Sequence, residues 1–415
     1  MPFVEAPGGR PGLARRLAAH VYLDTSPDVA LSAADYFELS HTAYQRVHAW
    51  IRDLASTRDV LRAALHAAEQ DPDDVPAHRA LAAELLALLE AAPDLEAQAL
   101  ELVADADAQI WIDYWLGEEH RGSGAVPSYD TSTLNTLPWP SRSESASPRT
   151  QVIIPFRDAG LGPRTRNLLA CLRTLYDQDD SAGAIRIVVV ETDRSPHARD
   201  LLPPLVDDYV FAPKAGLFNK SWAVNVGLRH GGLPGVNGTA PITCVLDADI
   251  LIARDYVATN VERLASDGHE AHLTYRRMFS MDAPSTDLAI HTRLAEGAAT
   301  AEMSALRGLL LRDTPGGSLW ATTEALHRIG GFDERYEGWG GEDDDVIARL
   351  SQRAAFTIYD DPLLHLNHPR PPMTKEDGQA LNGHLLETHR GDDAWTGADG
   401  YGDPRRFAAG VESPE

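Results

Sequence analysis

The spacing of apolar positions changes character along the chain. From Leu13 to Leu116 apolar residues recur at three- and four-residue intervals amid Ala and charged residues, as in Leu81, Leu85, Leu86, Leu88 and Leu89. That period predicts amphipathic helices, each turning one stripe to a core. Ser32, three residues ahead of Asp35, suits a helix start, and Asp71-Pro72-Asp73-Asp74 a break between two helices. Trp111, Tyr114 and Trp115 at the end of this region read as helix-packing aromatics, with an acceptor or dimer surface as the alternative. Residues 1–12, Pro- and Gly-rich, read as a disordered start. Residues 117–149, dominated by Gly, Ser, Thr and Pro, read as a linker with Leu134, Leu137 and Trp139 as apolar anchors.

From residue 150 short continuous apolar runs alternate with helical spacing. Gln151–Phe156, Ile185–Val190 and Pro241–Leu246 read as buried strands, and Arg164–Tyr176 and Asn219–Arg229 as helices. Such βαβ alternation predicts an α/β domain over 150–370, with ligands at the carboxyl ends of its strands. Residues 371–415 are left as a C-terminal loop or tail.

Composition narrows the partners. The 415 residues, 43% of them apolar, allow two or three domains with a sizeable core. With 37 basic and 62 acidic residues the formal charge is −25, which repels a phosphate backbone or an anionic membrane. Nucleic acid is thereby disfavoured as a partner. Cys171 and Cys244 are too few for a disulfide framework, and neither a secretion signal nor a run of about 18 apolar residues occurs. The expectation is a cytoplasmic protein without integral membrane contact.

Polar residues stand where the strands are expected to end: Arg157 and Asp158, Glu191 and Asp193, Asp247 and Asp249. In extended backbone Asp247 and Asp249 lie on one face, so both can turn toward one divalent cation and its phosphate ligands. His365 and His368, three apart, can converge on one side of a turn. With Asp249 they would form a carboxylate and two-imidazole set that favours Mn²⁺ over Mg²⁺. No P-loop, dinucleotide fingerprint or GxSxG elbow is present. The run Glu342-Asp343-Asp344-Asp345 follows Gly338-Trp339-Gly340-Gly341. It can complement a helix amino terminus, and Glu342, Asp343 or Asp344 can also serve as a general base toward an incoming hydroxyl.

Together these residues resemble the β-1,4-galactosyltransferases and related bacterial glycosyltransferases of the GT-A fold. Gly338-Trp-Gly-Gly-Glu-Asp-Asp-Asp looks like their signature. Val152-Ile-Ile-Pro-Phe-Arg, Phe218-Asn-Lys-Ser-Trp-Ala-Val-Asn-Val-Gly and Asp247-Ala-Asp resemble three further motifs in the same order. The resemblance spans about residues 150–370 and implies a Rossmann-like mixed sheet flanked by helices, here preceded by an N-terminal all-α domain. It implies that Pro155, Phe156 and Arg157 bind the nucleotide, with Phe218 and Asn219 beside it. Asp247 would face the ribose or diphosphate, while Asp249 and His368, with His365, would hold the metal. Asp343 would deprotonate the acceptor, with Glu342 and Asp344 around it. Trp339 would sit on a mobile loop over the donor, and Gly316 and Gly317 would line the donor sugar.

Lys220 replaces the usual arginine after Phe-Asn, which makes any phosphate contact a point charge. Thr314 replaces a bulky aromatic of galactose-specific members, leaving room for an N-acetylated donor. The expected activity is metal-dependent, inverting transfer of a hexose or N-acetylhexosamine from a nucleotide sugar, UDP-linked, to an acceptor hydroxyl. The acceptor, whether a glycan, a peptide or a small molecule, stays open. A retaining transferase and a non-catalytic sugar-nucleotide or glycan-binding protein are the alternatives, and the helical domain offers a route to a homo-oligomer.

Overall fold

The computed structural model describes residues 9–32, 34–122, 124, 126–140, 148–158, 162–230, 242–369, 374–375, 378–385, 395–397 and 400–408. Its strands in chain order are β1 (Ile112–Leu116), β2 (Thr150–Phe156), β3 (Ile185–Glu191), β4 (Asp208–Phe211), β5 (Ile242–Leu246) and β6 (Ile250–Leu251). They continue with β7 (Ala271–Leu273), β8 (Arg277–Met281), β9 (Arg307–Arg312), β10 (Ser318–Thr322), β11 (Phe356–Ile358) and β12 (Leu363–His365). The chain divides into two units. The first draws on residues 1–125, 277–285 and 303–314, and the second on 126–276, 286–302 and 315–415.

The first unit is built on the expected N-terminal helices: Arg10–Thr25, Pro27–Ser32, Ala34–Ser56, Asp59–Gln70, Val75–Ala91 and Pro93–Asp107. Helix Val75–Ala91 begins where the Asp-Pro-Asp-Asp turn ends, with the Asp74 carboxylate accepting from the Ala77 amide. Leu81, Leu85 and Leu89, four apart, are buried, while Leu86 and Leu88 lie half-exposed on the flank. The first helix already starts at Arg10, so the expected disordered start reaches too far; residues 1–8 lie outside the described residues.

A second difference is larger. The region up to Leu116 does not end in a helix: Ile112–Leu116 is a strand, antiparallel to β9, which also pairs with β8. Tyr114 lies opposite Leu309 and stacks on Tyr22 at 3.8 Å between ring centroids. The partner strand lies nearly two hundred residues away, and aromatic and branched side chains suit a pleated surface once it is present. Local periodicity carries no trace of that pairing.

Asp113 on β1 is buried and pairs with Arg16 of the first helix, and with Arg312 of β9 at 3.1 Å. Burial pushes its carboxyl up, but the two guanidinium groups outweigh that and hold it down at about 2. A carboxyl depressed from about 3.9 contributes stability that is fully present above pH 4 and lost as pH falls through 2, about 2–3 kcal/mol in total.

The second unit is a mixed sheet in the order β11-β7-β10-β5-β2-β3-β4. β2 runs parallel to both β3 and β5, β3 is parallel to β4, and β10 is inserted antiparallel between β5 and β7. Val152, Ile153, Ile187, Val188, Cys244 and Val245 are buried, as their unbroken apolar runs predict. Helix Lys220–His230 presses close on this layer: a Cβ on Gly227 would lie 2.5 Å from Cγ2 of Ile153. The mixed α/β architecture with flanking helices, preceded by a helical region, agrees with the sequence.

Segments read as connection and tail pack closely on this unit. Thr131–Thr136 is a short helix, Leu134 is buried, and the Arg173 guanidinium lies 4.2 Å over Trp139 while donating to the carbonyls of Leu134, Leu137 and Pro138. Near the carboxyl end, the buried Glu334 accepts from Gly402 N at 2.6 Å and pairs with Arg406. The Trp222 indole donates to Asp403 O at 2.9 Å.

Replacing Asp113 tests the electrostatic core of the first unit. Asp113→Asn is expected to lower unfolding free energy at pH 7 by about 2–3 kcal/mol. It should also flatten the loss of stability between pH 5 and pH 2, both read from urea denaturation across pH. An unchanged acid limb would contradict the depressed carboxyl.

Candidate active site

The DxD triplet leaves the sheet at the carboxyl end of β5. Because β10 runs antiparallel beside β5, it delivers the turn at Gly316 and Gly317 to the same place. Asp247 N donates to Gly317 O at 2.9 Å, and Gly317 N returns a bond to Asp247 Oδ2 at 3.1 Å. Both glycines have positive φ, +112° and +70°. At Gly316 a side chain is excluded twice over, since a Cβ would come within 2.6 Å of Asp343 Oδ2.

The centre of the arrangement is Lys220, the first residue of its helix. Its Nζ lies 3.0 Å from Asp247 Oδ1 and 2.9 Å from Asp343 Oδ2. Burial works against the ammonium, but the carboxylates of Asp247 and Asp343 outweigh it and keep it protonated well above the usual lysine range. The sequence pointed this residue at a phosphate. In the structure it joins the strand exit to the acidic run.

That run begins helix Glu342–Arg353, entered through the left-handed Gly341. Its acids divide by direction. Asp343 turns to Lys220, and Glu342 lies beside it, pushed up to about 8 by burial and then by the Asp343 charge. Asp344 is exposed. Asp345 faces inward, 1% exposed, and takes both Nε and Nη2 of Arg349, which also donates to the carbonyls of Ile329 and Gly331. The fourth acid therefore anchors the helix, and its carboxylate belongs to the core.

His365 ends β12, which pairs with β6 immediately after the DxD and sets His365 opposite Ile250; His368 follows three residues beyond the strand. His368 Nε2 is 2.9 Å from Asp249 Oδ2, and His365 Nε2 is 3.6 Å from Asp249 Oδ1. One ligand atom from each of Asp249, His365 and His368 falls within 4.8 Å of the others. Burial raises the Asp249 carboxyl, yet the two imidazoles hold it well below the ordinary range. Asp249 Oδ1 is buried with no hydrogen-bond partner among the described residues, and His368 Nδ1 lies 2.8 Å from Pro369 O, which directs the Nε2 lone pair inward. A mixed oxygen and nitrogen set with an orphaned acceptor fits a divalent first-row cation.

Most of the remaining sequence-derived residues have scaffold partners of their own. Pro155 and Phe156 end β2 and are buried; Arg157 donates to Gly216 O at 2.7 Å and pairs with Asp193 at 3.5 Å. Phe218 is half-buried, and its carbonyl accepts from Gly338 N at 2.7 Å. Asn219 accepts from Trp222 N and donates to Glu334 O, so both halves of its amide hold the scaffold together. Glu191 is similarly engaged, by the amides of His197 and Ala198 and by the Tyr209 hydroxyl. Trp339 sits on a half-buried turn whose carbonyl and that of Gly340 accept from Asn382.

Sequence reasoning passed over Tyr275, whose hydroxyl donates to Gly316 O, and Asn382. Neither belongs to a local pattern that marks it.

Residues 310–367 match a family model described as the N-terminal domain of galactosyltransferase. No curated protein matches the chain. Among solved structures, similar chains include S. aureus TarS, with 14% identity and a TM-score of 0.36 over 53% of this chain; the match spans 37% of the TarS chain. A TarS 1-349 structure in complex with UDP-GlcNAc gives 13% identity and a TM-score of 0.37, covering 53% of this chain and 58% of that one. The catalytic domain of Drosophila β1,4-galactosyltransferase 7, in complex with xylobiose, gives 12% and 0.31, covering 64% and 81%.

The inward acid makes a sharp expectation. Arg349→Leu leaves Asp345 buried without its counter-charge and should cost about 3–5 kcal/mol of stability. Asp344→Asn on the exposed side should cost no more than about 1 kcal/mol by urea denaturation. Equal, small effects of both would contradict the division of the acidic run.

Proposed function

We propose that the chain is a metal-dependent glycosyltransferase of the GT-A type. It moves a hexose or N-acetylhexosamine from a UDP-linked sugar to an acceptor hydroxyl with inversion at the anomeric carbon. The observation that carries this reading is the pair of adjoining clusters at the carboxyl end of β5. One is a carboxylate and two-imidazole set suited to a cation, and the other is an acidic residue fixed beside it by Lys220. The ordered motifs and the family match over 310–367 support the same class.

Asp249, His365 and His368 would hold a divalent cation, which when bound would supply positive charge for the departing diphosphate oxygens. Asp343 accepts the proton of the acceptor hydroxyl as its oxygen bonds to the anomeric carbon, and the bond from that carbon to the diphosphate oxygen breaks. Gly316 and Gly317, without side chains, let the sugar approach the backbone beside Asp343. Lys220 fixes the orientation of Asp343 and of Asp247, which faces the ribose or diphosphate. Trp339 covers the donor, and Glu342 and Asp344 border the acceptor. Pro155, Phe156, Arg157 and Phe218 form the nucleotide side.

Asp343→Asn is expected to keep UDP binding in the presence of Mn²⁺, measured by calorimetry, while transfer from the donor falls by roughly 10²–10⁴. Near-normal transfer by that variant would move the base elsewhere. The anomeric configuration of the product, read by NMR, separates inversion from retention.

A further inference from the structure

The helix Pro163–Tyr176 buries an asparagine that no catalytic role requires. Asn167 is 0% exposed on a helix whose neighbouring buried positions are Leu168, Leu169, Ala170, Cys171 and Leu172. Asparagine is a poor interior helix residue, and a buried amide is costly unless every polar atom finds a partner. Those partners lie on the turn between the two histidines. Asn167 Nδ2 is 3.2 Å from Asn367 O and 3.4 Å from Leu366 O, and Asn167 Oδ1 accepts from Arg166 Nε at 2.9 Å. Arg166 Nη2 then donates to the same Asn367 carbonyl at 2.6 Å, and Arg164 Nη2 to Pro369 O at 3.3 Å.

The other edge of the turn is held independently. Leu366 N donates to Asp249 O at 2.8 Å, and Asn367 N to Thr286 Oγ1 at 2.8 Å. Leu366 and Asn367 are the two residues that separate His365 from His368. Their carbonyls are pinned from one side and their amides from the other, so the path between the two imidazoles has little freedom. Groups that fix ligand orientation from behind are worth a large share of metal affinity, although they never touch the ion.

We infer that Asn167, backed by Arg166, is a positioning residue that sets the separation of the His365 and His368 imidazoles for a divalent cation. This rests on the metal reading of the site. Asn167 reaches the cation only through the backbone of the histidine turn, and Arg166 stiffens the amide by occupying its oxygen while sharing its acceptor.

The test is Mn²⁺ binding to the full chain without nucleotide, followed by the electron paramagnetic resonance of free Mn²⁺. Wild type, Asn167→Ala and Arg166→Met are compared, with thermal unfolding in chelator as the measure of folding. Asn167→Ala is expected to weaken Mn²⁺ binding by roughly 10- to 100-fold, and Arg166→Met to weaken it less. The visible spectrum of the Co²⁺-loaded Asn167→Ala protein should also change, which a loss of stability alone would not produce. If Asn167→Ala does not fold, Arg166→Met decides. Unchanged Mn²⁺ affinity in the folded variants overturns the positioning role while leaving the metal site intact. Absence of Mn²⁺ binding by the wild type overturns the metal reading itself, and this inference with it.

Discussion

One buried ammonium makes the rest of this site possible. Asp247 comes together with Glu342 and Asp343 from two distant pieces of chain, and like charges so close and so poorly hydrated repel strongly. Lys220 resolves the conflict by standing between Asp247 and Asp343. Its position depends on the helix start at residue 220, on the tight seat of that helix against Ile153, and on the Asn219 amide that bonds Trp222 N. The missing side chain at Gly316 gives the pair its space. A buried ion pair of this kind adds little net stability, since desolvation offsets attraction, but removing one partner leaves a costly unpaired charge. Its value lies in holding two carboxylates in fixed orientation.

The topology also separates two kinds of acidic chemistry that the sequence places under similar letters. Asp249 is two residues from Asp247, yet it faces His365 at the end of β12 and His368 just beyond it, while Asp247 faces Lys220 and the glycine turn. Alternation along an extended strand would put both on one face, and the turn after β5 sends them to different partners. The acidic run divides in the same manner, because helix geometry sends Asp343 to the ammonium and Asp345 to Arg349, four residues on.

The strands β2, β3 and β5 and the helices Pro163–Tyr176 and Lys220–His230 were legible because continuous apolar runs and a 3.6-residue period leave few alternatives over such lengths. The grouping of Asp249 with His365 and His368 was legible from position, a carboxylate at a strand exit and two imidazoles three residues apart. What stayed hidden depends on contacts distant in sequence. The β1–β9 pairing needed Leu309 to Leu311, and aromatic residues at 111, 114 and 115 fit a helix equally well until that partner is known. Lys220 was visible as a charge, but its two partners were not. Tyr275, Asn167 and Asn382 carry no motif, and only the carbonyls they reach reveal them. The Asp345–Arg349 pair, at i and i+4, could have been read from spacing and was masked by its acidic neighbours.

The proposed division gives cation chemistry to Asp249, His365 and His368, and proton chemistry to Asp343 beside Lys220. Anomalous diffraction at the manganese edge, from crystals grown with Mn²⁺ and UDP, tests that division most directly. A strong peak is expected, bounded by Asp249 and the two imidazoles, with Lys220 still between Asp247 and Asp343. A dominant peak on the acidic run at Glu342–Asp345, with Lys220 displaced, would contradict it.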